Sequence, residues 1–151
     1  VSGLSAPLFS DEQVREMLES RFWRVFMKAH RVFGPPEEAM GSHKSLYRDV
    51  RRAADLRGTK LLFGAGIGDS GRIRQTNEDY HHYLVSKGVP HRYLTYNGGH
   101  RWDDWNKIFP AVLCEQLSPE GECLLEPDPY YTITRVVTEP PVREVVADST
   151  P

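Results

Sequence analysis

Long apolar runs are missing from this chain. No stretch approaches the ~20 residues needed to cross a bilayer, and residues 1 to 30 do not carry the basic, apolar and small-residue segments of a secretory leader. No membrane contact is expected. Blocks of one charge are missing too: the net charge is −2 with both signs interspersed, so no basic face is expected for nucleic acid or an anionic lipid surface. Cysteine is scarce. Cys114 and Cys123 are the two present, flanking the turn-like Ser118-Pro119-Glu120-Gly121, and no histidine stands at ligand spacing from them. That excludes a zinc-finger pattern and a disulfide-dense secreted scaffold. The pair reads as structural or incidental, a local disulfide staying open, and the compartment stays open as well, with the cytoplasm slightly favoured. No metal and no cofactor is expected. What is present is 151 residues with 39% hydrophobic and 11% aromatic side chains, enough for one packed core.

The order of elements points to an α/β fold. Val1 to Pro7 is small, apolar and turn-rich, like the end of a buried strand. Ser10 followed by Asp11-Glu12-Gln13 makes a capping box, and Val14, Met17, Leu18, Phe22, Val25 and Phe26 recur at helical spacing, which predicts a helix over 11–30. Gly34-Pro35-Pro36 ends it, and a second helix is expected over 44–56. Lys60 to Gly66 has the apolar run of a buried parallel strand. A helix over 75–87 stops at Gly88, the strand His91 to Tyr96 follows, Asn97-Gly98-Gly99 turns sharply, and a helix runs over 102–117. Strand, helix, strand, helix with short loops is the rhythm of an open parallel sheet. Pro110 should kink that last helix or mark a restart. Beyond Leu117, Pro119, Pro127, Pro129, Pro140, Pro141 and Pro151 accumulate, and Tyr131 to Val137 gives one late edge strand before a poorly ordered end. Two regions are therefore expected, 1–117 and an extension over 118–151.

Two loops lie where parallel strands end, the edge at which open α/β sheets bind ligands. They are Gly66-Ile67-Gly68-Asp69-Ser70 and Asn97-Gly98-Gly99-His100-Arg101-Trp102. The double glycine lets the backbone turn tightly and hold the His100 imidazole clear of the sheet, with Trp102 and Trp105 buried behind it. Asp69, at the end of the preceding strand, is placed to accept its Nδ1 proton, the orienting half of a nucleophilic triad. Against this, Asp69 equally suits the N-cap of the next helix. Gly66-Ile67-Gly68-Asp69-Ser70-Gly71 also matches a dinucleotide phosphate loop, but the next strand ends in Asn97-Gly98-Gly99 rather than in the acidic residue such folds need, and Asp69 would repel the phosphate. His81 and His82 are neighbours on a helix and point about 100° apart, so solvation rather than shared metal ligation is expected.

Leu61-Leu62-Phe63-Gly64-Ala65-Gly66-Ile67-Gly68-Asp69, then Asn77 and Tyr80 to Gly88, then Tyr96-Asn97-Gly98-Gly99-His100-Arg101-Trp102-Asp103-Asp104-Trp105, resemble the esterase D type of α/β-hydrolases, a group that includes feruloyl and siderophore esterases and mycolyltransferases. The resemblance covers roughly residues 1–117, with the Gly-Gly-His-x-Trp-x-x-Trp arrangement its most telling part. It implies the C-terminal half of an α/β-hydrolase fold, a parallel sheet flanked by helices, with Asp69 as triad acid and His100 as general base.

The chain departs from that family in lacking a Gly-x-Ser-x-Gly elbow and the upstream loop that supplies oxyanion donors. Gly3-Leu4-Ser5-Ala6-Pro7 mimics the start of an elbow, yet Pro7 replaces the second glycine and no strand is read before Ser5. Alone, the chain is not expected to catalyse acyl transfer. The expectation is the acid-and-histidine half of a serine carboxylic-ester hydrolase or acyltransferase acting on a small ester, its nucleophile supplied by a complementary N-terminal chain or segment. The rival expectation is a non-catalytic binding or assembly subunit derived from a hydrolase.

Overall fold

The computed structural model describes residues 2–22, 31, 34, 35, 38, 47, 59–118, 123 and 125–137. They form β1 (Ser2–Leu4), α1 (Asp11–Glu19), β2 (Leu62–Gly66), α2 (Gly71–Ser86), β3 (His91–Tyr96), α3 (Trp102–Leu117) and β4 (Tyr131–Val136). The helix expected over 44–56, apart from Tyr47, and the tail from residue 138 lie outside the described residues.

The strands make one sheet in the order β1-β2-β3-β4. The first three are parallel, with Gly3 beside Phe63 and Phe63 beside Tyr93. β4 returns antiparallel along β3 and sets Ile133 beside Leu94. The fold is thus α/β, a mostly parallel sheet flanked by helices with a C-terminal edge strand, compatible with part of an α/β-hydrolase fold.

β2 explains how the layers form. All five of its residues are buried, as a strand covered on both faces requires. Successive side chains point to opposite faces. Phe63 packs on one side against Tyr80 and Leu84 of α2 and Val89, while Leu62 joins Leu94, Tyr96 and, from α3, Ile108 and Val112 on the other. The two helices therefore cover opposite faces. β4 is a half-buried edge: Ile133 leans on the α3 side of the core while Thr132 and Thr134 face solvent.

Several local expectations are revised. Ser10 does close a capping box with Gln13, but α1 ends at Glu19, where Ser20 turns extended (ψ 126°) before Arg21 and Phe22 are helical again; residues 23–30 of the expected helix lie outside the described residues. Helical spacing continues past that point, and spacing alone does not register a break made by one residue's backbone. α2 begins at Gly71, earlier than expected, because Ser70 Oγ accepts from the Ile73 N–H and caps it. Pro110 neither ends nor restarts α3. It sits on the exposed side, where water can satisfy the carbonyl that loses its donor. Cys114 and Cys123 are disulfide-bonded, with Cα atoms 5.3 Å apart. None of the described helices is long and apolar enough to cross a membrane.

Leu94 is fully buried between β3 and α3, whereas Leu113 on the outer side of α3 is 41% exposed. Leu94→Ala should therefore cost about 2–5 kcal/mol of stability, and Leu113→Ala within about 0.5 kcal/mol. Urea unfolding of the two variants checks this, and equal losses would contradict the layer assignment.

Candidate active site

β2 and β3 end level, Gly66 pairing with Tyr96, and the loops that follow are bonded to each other. Ile67 N–H donates to the Tyr96 carbonyl (2.9 Å) and Gly68 N–H to the Gly98 carbonyl (2.7 Å). This approach leaves no room for side chains at two positions. A Cβ on Gly66 would stand 2.1 Å from the Gly98 carbonyl oxygen, and one on Gly98 would meet Tyr130 Oη at 2.5 Å and the Asp104 side chain at 2.6 Å. Glycine is demanded at Gly66 by the neighbouring backbone and at Gly98 by the Tyr130 and Asp104 side chains.

The loops carry Asp69 and His100 to the same rim. Asp69 is 6% exposed. Its Oδ2 accepts from the Gly66 N–H at 2.7 Å and from the Ser5 hydroxyl at 2.6 Å. Its Oδ1 is buried with no hydrogen-bond partner and lies 3.7 Å from His100 Nδ1. That distance suits an ion pair and is too long for a hydrogen bond. The His100 side chain is 59% exposed and rests edge-on against Trp105, ring centroids 4.8 Å apart. Beside it Ile67, Gly68, Asn97, Gly98, Gly99 and Arg101 line a cleft of about 400 Å³. A buried acid thus faces one edge of an imidazole whose remainder meets solvent.

The other readings of the first loop can be weighed against this geometry. Ser70, not Asp69, caps α2. Four successive N–H groups that would face a phosphate are engaged within the protein: Gly66 with Asp69, Ile67 with Tyr96, Gly68 with Gly98 and Asp69 with Gly66. Ser5 differs from expectation in part. A strand does precede it, and its φ of 49° is left-handed. Yet it is 1% exposed, and its hydroxyl bonds the acid and Tyr96, so it lacks the access a nucleophile needs.

Other residues of the site had no local signal. Asp104, 2% exposed, accepts from Arg101 Nε (2.8 Å), the Gly99 N–H (3.0 Å) and Tyr130 Oη (2.7 Å). The Arg101 bond, then those from Gly99 and Tyr130, holds its carboxyl well below the usual carboxylate range. Burial, reinforced by the bond to Asp104, pushes the Tyr130 phenol up to about 12. Tyr130 lies far along the chain and is brought here by the start of β4, which no spacing in the sequence announces. Asp103 and Asp104 lie in the first turn of α3, where acids suit a helix N-terminus, and nothing in that position marks Asp104 as the anchor of the Gly99 backbone. Trp105 packs behind the histidine as expected. Trp102 does not, being 74% exposed; it starts α3 on the outer side and meets Trp105 edge-on at 5.1 Å.

The histidines of α2 part company. His82 is exposed, as expected, but His81 Nδ1 is 2.8 Å from His91 Nε2 and its ring stacks on Tyr93 at 4.5 Å. His91 Nδ1 lies 2.7 Å from the Val89 carbonyl, which can only accept. His91 is therefore the donor there, leaving its Nε2 to accept from His81. Burial first, then mutual repulsion at His81, lowers both imidazoles below the ordinary histidine value. Among the described residues no group of three or more His, Cys, Asp or Glu side chains is placed to hold a metal.

No family model matches the chain, and no solved structure matches it. An acetyl esterase from Caldicellulosiruptor saccharolyticus is 31% identical over 77 residues, which make up 51% of this chain and 29% of that protein. The chain thus spans under a third of the length of that relative. The likeness supports an esterase or hydrolase relationship, carried by part of the chain.

The depressed Asp104 carboxyl has a definite sign. Its contribution to stability is full above the ordinary aspartate range and is lost as the pH falls from about 4 through the depressed value. Asp104→Asn should lower the melting temperature at neutral pH and flatten the decline of stability on acidification. Thermal melts across that range test this, and an unchanged acid limb would remove Asp104 from the loop's support.

Proposed function

We propose that this chain is the acid-and-histidine half of a serine carboxylic-ester hydrolase or acyltransferase of the esterase D type. The observation that carries the reading is the unpartnered Oδ1 of buried Asp69 turned toward Nδ1 of exposed His100. Acid after one parallel strand and histidine after the next is the chain order of α/β-hydrolase triads. The partial likeness to an acetyl esterase supports the same class.

In this reading Asp69 holds the Nδ1–H tautomer, leaving Nε2 on the far side of the ring, toward solvent and the cleft. As a serine hydroxyl attacks the ester carbonyl, Nε2 takes its proton and Asp69 stabilises the imidazolium. The proton then passes to the leaving alcohol. Water, or a second alcohol in a transferase, repeats the steps in reverse order to free the acyl group. The serine and the oxyanion donors come from an N-terminal hydrolase segment or partner chain. β1 supports this, because among the described residues it pairs with β2 alone and leaves one row of backbone groups for a further strand.

The native assembly, treated with a fluorophosphonate, should carry the label on a serine in a Gly-x-Ser-x-Gly segment, either on the same polypeptide or on a stoichiometric partner. In that assembly His100→Ala should reduce hydrolysis of a simple aryl ester by roughly four orders of magnitude with little change in melting temperature. Retained turnover, or an unlabelled homo-oligomer of this chain, would overturn the proposal in favour of a non-catalytic subunit.

A further inference from the structure

Ser5 is the described non-glycine residue with a left-handed backbone, and its surroundings show what that conformation achieves. Its N–H still bonds the Gly64 carbonyl at 2.8 Å, continuing the β1–β2 ladder. The next carbonyl, of Ala6, accepts from Asn77 Nδ2 of α2 at 2.7 Å. Between these two anchors the positive φ turns the chain sharply, and the hydroxyl enters the interior beside Asp69. A serine held in this unfavourable region needs surroundings that over-determine it.

Those surroundings form a directed chain of hydrogen bonds. Trp105 Nε1, a donor only, lies 3.0 Å from Tyr96 Oη. Tyr96 Oη lies 2.5 Å from Ser5 Oγ, which lies 2.6 Å from Asp69 Oδ2. The carboxylate can only accept, so the Ser5 proton goes to Asp69 and the Tyr96 proton to Ser5 at 2.5 Å, the Gly99 carbonyl being a second and more distant acceptor for Tyr96 Oη at 3.3 Å. Together with the Gly66 N–H, Ser5 gives Oδ2 two donors, which fixes the carboxylate plane and leaves Oδ1 as the oxygen facing His100. Trp105, at the donor end, is also the wall against which the His100 ring rests. One network therefore holds both the acid and the base.

We propose that Ser5 is a positioning residue for the Asp69–His100 pair: by donating to Oδ2 in line with Tyr96 and Trp105, it reserves Oδ1 for the imidazole. This rests on the triad reading above. Ser5→Gly removes the hydroxyl while accepting the left-handed backbone, and Tyr96→Phe removes the donor to Ser5 without altering that turn. Both are made in the native assembly, with Asp69→Asn as reference. Selectively ¹⁵N-labelled histidine reports the His100 tautomer, and ester hydrolysis gives kcat and KM separately.

The wild type should show His100 as the Nδ1–H tautomer, and Asp69→Asn should abolish that preference. Ser5→Gly should mix the tautomers and lower kcat by about ten- to a hundredfold with KM little changed, and Tyr96→Phe should do the same more weakly. A Ser5→Gly or Tyr96→Phe variant that loses only melting temperature, keeping the wild-type tautomer and kcat while Asp69→Asn changes both, would overturn the role of Ser5. A His100 tautomer indifferent to Asp69→Asn would instead overturn the underlying pairing of acid and base.

Discussion

Parallel pairing of β2 with β3 sets Gly66 beside Tyr96, so both strands stop at one level and the loops after them start side by side. The register depends on burial. Leu62 and Phe63 are committed to opposite faces, and a one-residue slip would exchange them. With the strands held, the loops are close enough for Gly68 to bond Gly98, and the approach is so tight that a Cβ on Gly66 would meet the Gly98 carbonyl. The nearness of Asp69 to His100 is a consequence of that contact between backbones.

Two buried carboxylates flank the second loop, and their different surroundings separate their roles. Asp104 takes bonds from a guanidinium, a backbone N–H and a phenol. Its capacity is used inside the protein, and it fixes Gly99, the residue before His100. Asp69 has donors on one oxygen alone and keeps the other free of partners. A buried acceptor without a donor is costly unless something is meant to meet it, and the imidazole edge is what stands nearest. Residue type does not distinguish the two aspartates; the count and placement of donors does.

The sheet places this pair at the ends of its two central strands. β4 covers one side of β3, while β1, three residues long, offers its outer edge. The matched part of the acetyl esterase is under a third of that protein. Asp69 and His100 follow consecutive parallel strands, so the pairing of β2 with β3 brings their loops together.

Much of this was legible in the residues. The apolar run ending at Gly66 announced a buried strand, the strand His91 to Tyr96 was read between Gly88 and the Asn97-Gly98-Gly99 turn, and glycines marked the loops that carry Asp69 and His100, because those signals are local and follow from backbone freedom and burial. The break of α1 at Ser20 and the exposure of Trp102 were not legible, since each turns on what lies beside the residue in space. Nor were the parts of Ser5, Tyr96 and Tyr130. Sequence by itself determined that strands would alternate with helices, and that an aspartate and a histidine would follow consecutive strands. Tertiary structure alone decided which carboxylate oxygen is left open and which distant hydroxyls hold it, because hydrogen-bond partners far apart in the chain meet only once the sheet has closed.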